Sequence, residues 1–234
     1  MAVSTAGLRQ ALEQLADLRS APGSIEEGLE RVVAAADALF GVDGTALLLI
    51  DRDQVLRILA ASDRRASLLE ELEAEHGEGP CADAFADKQP VAADDLAGDD
   101  RWPAFAPAAA ARGLRAALAS PVPYGEQAVG VVAVLDANPH AWSQAEREAI
   151  VAFTELVALL ILNAMEATER GKLAGELQLA LSSRVVIEQA KGVLVGRHGL
   201  TTRQAFDRLR RQARDQRRPL SEVARAVVSA AEHR

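Results

Sequence analysis

The spacing of apolar residues changes along this chain, and each change marks an element. Leu8, Leu12, Leu15 and Leu18 recur three or four residues apart, which predicts an amphipathic helix over residues 4–19. Such a helix is marginal alone and calls for a partner helix. Ala21-Pro22-Gly23 ends it. Ser24 followed by Glu27 is a capping-box pair that starts a second helix, reaching about Leu39. The pattern then shortens to apolar runs. Thr45–Ile50 and Val55–Ala60, separated by Asp51-Arg52-Asp53-Gln54, read as a hairpin. Residues 64–75 are charged and helical, and Gly77-Glu78-Gly79-Pro80 is a loop feeding a short helix over 81–87.

Val91–Ala93 reads as a short strand, Asp94–Ala97 as a loop, and Trp102–Ala111 as a helix. Leu114–Val122 and Ala128–Leu135 form a second predicted hairpin, turning at Tyr124-Gly125-Glu126. Ser143 and Glu146 make another capping box. From there helical periodicity runs to about residue 195, as one long helix or two nearly coaxial ones, and stops at Gly196–Gly199. Thr201 and Gln204 cap the next helix, which ends near Gln216. Pro219 opens the last one, with Leu220, Val223, Ala224, Val227, Val228 and Ala231 on its apolar face. This order predicts an α+β chain: an antiparallel sheet flanked by helices, joined by a long coiled-coil-type helix to a C-terminal three-helix bundle.

Charge divides the chain in the same place. Residues 166–234 carry 14 Lys and Arg against 8 Asp and Glu, whereas residues 1–165 carry 12 against 26. The net charge of −8 therefore hides a basic module on an acidic body. A basic module can hold a polyanion that the body would repel. Aromatic content of 3% with abundant Ala and Leu points to an aliphatic, helix-rich core. The single cysteine cannot form an internal disulfide. With no signal-peptide pattern and no apolar run long enough to span a bilayer, the expectation is a soluble cytoplasmic protein.

Two sets of residues carry a family resemblance. Ser183-Arg184, Ile187, Gln189-Ala190-Lys191-Gly192, Ala205-Phe206, Leu209-Arg210, Ala213 and the helix from Leu220 to Val228 resemble the ANTAR family of RNA-binding transcription antiterminators. Gly77-Glu78-Gly79-Pro80-Cys81, Asp94-Asp95-Leu96, Arg101-Trp102-Pro103 and Phe105 resemble a GAF domain of the type fused to ANTAR modules. The resemblance implies an N-terminal helix over 1–20, a GAF sensor domain over 21–165 and an ANTAR domain over 166–234. It also implies binding to paired stem-loops in nascent leader RNA, control by the sensor, and a homodimer. The phosphorylated receiver domain common in that family is absent from this sequence, which leaves the input of the GAF domain unassigned.

Between Arg197 and Arg218 stand eight arginines and two acids. Arg203, Arg210, Arg214 and Arg217 line one helical face, while Phe206, Leu209 and Ala213 line a neighbouring, core-side face. Arginine grips phosphate in a bidentate fork and stacks on bases. The expected RNA surface is Arg184, Lys191, Arg197, Arg210, Arg211 and Arg214, with Ala190 and Gly192 allowing close helix approach. Phe206 is expected in the core, leaving any base stacking to arginine. The plainer reading is a solvated face, and the motif outweighs it. A DNA-binding bundle of helix-turn-helix type is the competing polyanion reading.

The sensor half gives fewer leads. Cys81 at a helix start has the position of a reactive thiol, but a small buried packing residue is the stronger expectation. Asp94, Asp95, Asp99 and Asp100 read as loop and capping acids, and Trp102 and Trp142 as core anchors. His76 and Cys81 make a weak metal pair, and no cofactor is expected. The sequence has no GxSxG, Walker A, GxGxxG or HExxH motif, so an enzyme is not expected. A redox- or ligand-responsive enzyme of GAF type stays as the alternative from that class.

Overall fold

The computed structural model describes residues 25–167 and 172–232. The helix expected over 4–19 lies outside the described residues, as does the join that would decide between one long helix and two over 143–195. Two compact units form within them: residues 25–49 with 56–167, and residues 50–55 with 172–232.

The first unit is built on a five-stranded antiparallel sheet in the order β2-β1-β5-β4-β3. Helix α1 (Ile25–Phe40) precedes β1 (Gly44–Ile50) and β2 (Leu56–Ala61). Then come α2 (Arg64–His76), α3 (Pro80–Asp87) and β3 (Val91–Ala93), a 3-10 turn at Leu96–Gly98, and α4 (Phe105–Ala111). The hairpin β4 (Ala116–Tyr124) and β5 (Gln127–Asp136) leads to α5 (Gln144–Ala167). Tyr124 pairs with Gln127, so the connection is two residues, and Gly125 at φ 58° supplies the left-handed turn this requires.

Every residue of β1 is buried, which explains its unbroken apolar run: both faces of the sheet are covered. Ala46, Leu48, Ala117, Ala119, Val131, Ala133 and Leu135 point to one face. There they meet Leu69 and Leu72 of α2, Cys81 and Ala84 of α3, Leu96, Trp102 and Phe105. Strand side chains alternate, so Ser120 points to the other face, where its Oγ lies 3.3 Å from Thr154 Oγ1 on α5. Helix α1 also packs on the sheet, burying Val32, Val33, Ala36 and Phe40.

Several boundaries differ from the sequence pattern by one to three residues. The helix expected from Trp102 starts at Phe105, and Trp102 itself is drawn into the core at 1% exposure. The stop expected at Gly196–Gly199 falls after His198, where Gly199 at φ 63° ends the helix and its N–H reaches the Val195 carbonyl.

Candidate nucleic-acid interface

The second unit holds α6 (Lys172–His198), α7 (Thr202–Gln216) and α8 (Leu220–Glu232). Its core is small and aliphatic: Ile187, Ala190 and Leu194 from α6, Ala205, Leu209 and Ala213 from α7, Leu220, Val223 and Ala224 from α8. The spacings of three and four residues put each set on one stripe, leaving the charged positions outside. The capping box forms as the sequence suggests. The Gln204 N–H donates to Thr201 Oγ1 at 3.2 Å, and the Thr201 N–H donates to Gln204 Oε1 at 2.9 Å. Arg217 ends α7 in the left-handed region at φ 50°.

The expected RNA residues separate into two groups. Lys191 on α6 and Arg210 on α7 converge on the Phe206 ring, with their charged heads 5.6 and 5.9 Å from its centroid. Lys191 Nζ also donates to Glu188 Oε1 at 2.8 Å. Arg184 lies seven residues before Lys191, hence within about 20° of it around the same helix. Arg184 is half-buried, and burial lowers its guanidinium from the usual value while Glu188 opposes that shift. Arg214, four residues after Arg210, continues the face along α7 and is exposed.

Arg197 and Arg211 stand apart. Arg197 Nη2 donates to the Ala230 carbonyl at 3.3 Å and so ties α6 to α8. Arg211 lines a shallow cleft of about 500 Å³ with Leu200, Gln204, Asp207 and Arg208. At 100° per residue, Arg211 and Arg208 leave α7 roughly 140° and 200° away from Phe206. Two expectations about packing change. Phe206 is only partly buried, because Ala205, Leu209 and Ala213 already fill the seam. Gly192 does not mediate helix approach: it is exposed, and a Cβ there would meet nothing within 4 Å. The close contact is made by Ala190, which is fully buried.

In the first unit, Cys81 is fully buried. Burial pushes its thiol well above the usual range, and the charge of Glu73 pushes it further. That is the opposite of a reactive thiol. Glu73 itself escaped sequence reasoning. It is 8% exposed, and it receives the Cys81 N–H on Oε1 at 2.8 Å and the Ala82 N–H on Oε2 at 2.9 Å. It thus caps α3 from a different helix, and no spacing rule links residues eight apart in this way. Three of the four aspartates of the 94–100 loop, Asp94, Asp95 and Asp99, are occupied as structural partners. Asp95 pairs with Arg115 at 2.8 Å, Asp99 with Arg101 at 2.6 Å, and Asp94 accepts the Trp142 N–H at 3.2 Å.

Trp102 and Trp142 are anchors with satisfied indoles, donating to Asp83 Oδ2 at 2.8 Å and to the Ala93 carbonyl at 3.1 Å. His140 was also missed. Its ring stacks on Trp142 at 4.0 Å between centroids, with Glu146 Oε1 at 2.9 Å from Nε2 and Asp136 Oδ2 at 3.3 Å from Nδ1.

Comparison with known proteins agrees with both units. A family model described as the GAF domain matches residues 24–161, and one described as the ANTAR domain matches residues 175–228. No curated protein matches the chain in sequence. Among solved structures it is similar to the GAF domain from an Acinetobacter phosphoenolpyruvate-protein phosphotransferase. The two are 18% identical with a TM-score of 0.55, over 70% of this chain and 98% of that one. It is also similar to the GAF domain of the corresponding Coxiella burnetii protein, 16% identical with a TM-score of 0.53, over 70% and 98% of the two chains. The free methionine-R-sulfoxide reductase from Neisseria meningitidis, solved with its substrate, is 12% identical with a TM-score of 0.54, over 68% and 90%. At such identities the likeness establishes a fold, and the activity in the last name is that protein's own. A sheet domain of GAF type followed by an ANTAR three-helix bundle is the architecture of a regulator, and on both matches this chain belongs to the GAF–ANTAR family.

Proposed function

We propose that this chain is a signal-responsive transcription antiterminator that binds paired stem-loops in nascent leader RNA through residues 166–234. The GAF domain receives the signal, as a small molecule or a protein, and controls assembly of a homodimer. The observation that carries this reading is the convergence of Lys191 and Arg210 beside the Phe206 ring, with Arg184 and Arg214 continuing that face along α6 and α7. Such a surface offers forked and point-charge donors to phosphate. The buried Cys81 favours a non-enzymatic GAF domain. Among the described residues no helix is long and apolar enough to cross a membrane, which suits work on transcripts in the cytoplasm.

The test is binding of the full chain to a synthetic RNA carrying two stem-loops, with duplex DNA of matched length alongside. The RNA is expected to bind more tightly. Lys191→Ala and Arg210→Ala should each weaken binding and flatten its salt dependence by roughly 0.7–0.9 of a unit of slope. Preference for duplex DNA would replace this reading with a DNA-binding one. Correctly folded variants with unchanged affinity would show that the RNA lies elsewhere. Sedimentation giving only monomer at micromolar concentration, with and without RNA, would remove the dimer.

A further inference from the structure

The Phe206 ring packs against the edge of the bundle core without being enclosed by it. Ala205, Leu209 and Ala213 already close α7 against its neighbours, and the ring is left partly open. Its surroundings are charged: an ammonium from α6 at 5.6 Å and a guanidinium from α7 at 5.9 Å. One ring flanked by two cations from different helices is complementary to a single unpaired nucleotide. A nucleotide carries a flat π-surface and an anion a few ångströms apart, and only unpaired bases expose a face for stacking.

We propose that Phe206 is a stacking platform for one unpaired base of the bound RNA, with Lys191 and Arg210 holding that nucleotide's phosphates. This rests on the RNA-binding reading above and adds what the arginines alone do not provide, a distinction between looped and fully paired RNA. Phosphates are present in both, so the cations by themselves bind either. A duplex keeps its bases stacked inside and has nothing to offer the ring. Two nearby features bound the idea. Glu188 accepts from the Lys191 ammonium at 2.8 Å and competes with a bound phosphate for it. The cleft lined by Arg208 and Arg211 points elsewhere and serves as a control surface.

The experiment uses the full chain and synthetic two-stem-loop RNA, measured by fluorescence anisotropy, with thermal melts of each variant. Phe206→Leu keeps an apolar side chain against the core and removes the π-face, while Phe206→Tyr keeps the face. Phe206→Leu is expected to lose roughly 5- to 150-fold in affinity for the stem-loops. Its affinity for duplex RNA and the slope of its salt dependence should stay unchanged, and Phe206→Tyr should bind like wild type.

Replacing loop nucleotides one at a time by abasic residues then closes a double-mutant cycle. At one position the missing base should cost the wild type the same factor and cost Phe206→Leu nothing further. If Phe206→Leu melts like wild type and binds the stem-loops equally well, or if its loss adds to the base loss at every position, Phe206 is a packing residue and the platform is overturned. Equal losses on stem-loop and duplex overturn it too. If wild-type protein ignores the stem-loops altogether, the RNA-binding reading falls with it, a result distinct from the others.

Discussion

Glu73 makes the stability of the GAF domain depend on pH in a direction opposite to that of most carboxylates. Burial pushes its acid up to about 8 from an ordinary value of 4.5, against the pull of the Cys81 and Ala82 N–H groups and the Cys81 thiol, with Asp83 adding to the rise. The folded domain therefore holds a proton that the unfolded chain releases. A carboxyl raised on folding contributes its full stability below about pH 4.5, loses it steadily through the interval between the two values, and adds no further loss above about 8. At about 1.4 kcal/mol per unit, the whole interval is worth up to roughly 5 kcal/mol, a large fraction of a domain's stability.

Urea unfolding at a series of pH values tests this. Both tryptophans of the chain, Trp102 and Trp142, lie in the GAF unit, so their fluorescence reports that unit alone. Glu73→Gln removes the titration while keeping the shape. Subtracting its curve cancels the other acids and histidines that both proteins share. Wild type minus variant should fall by a few kcal/mol between pH 5 and 8. A difference that is flat with pH, or that grows as pH rises, would mean that the two N–H donors hold Glu73 ionised and that desolvation has been overweighted.

Further outcomes follow from single residues. Cys81, fully buried with its thiol pushed up, should react with a thiol-specific reagent only as fast as the GAF domain opens; rapid labelling in native conditions would refute this. Thr201→Ala should cost the ANTAR bundle about 1 kcal/mol in thermal melts by removing the acceptor of the Gln204 N–H, and no loss would mean the cap is redundant. Gly192→Ala and Gly130→Ala should differ in sign. The first stabilises α6 by up to about 1 kcal/mol because the added Cβ meets nothing. The second drives a Cβ into the Leu48 carbonyl and costs at least 1–3 kcal/mol, and equal melting temperatures would contradict both.

Where local chemistry decides, the order of apolar and polar residues was enough. The Thr201–Gln204 and Ser143–Glu146 caps, the strand at Val91–Ala93 and the hairpin turning at Gly125 all depend on residues within a few positions of one another. Leu209 and Ala213 in the core stripe of α7 also followed from period, and the division between acidic body and basic module from the charges. What the sequence left open are arrangements between distant segments. Glu73 capping α3, His140 between Asp136 and Glu146, and Arg197 spent on the Ala230 carbonyl each depend on where another element happens to lie.

Phe206 marks the boundary between the two kinds of information. Its position next to Leu209 on the helical period reads as core, and a wheel diagram gives no other answer. Only the packed bundle decides that three small or medium residues fill the seam first, so that the ring is left partly open and two cations close around it. Side-chain period fixes which face of a helix turns inward. How far inward depends on the volume already occupied there, and that volume belongs to the neighbouring helices.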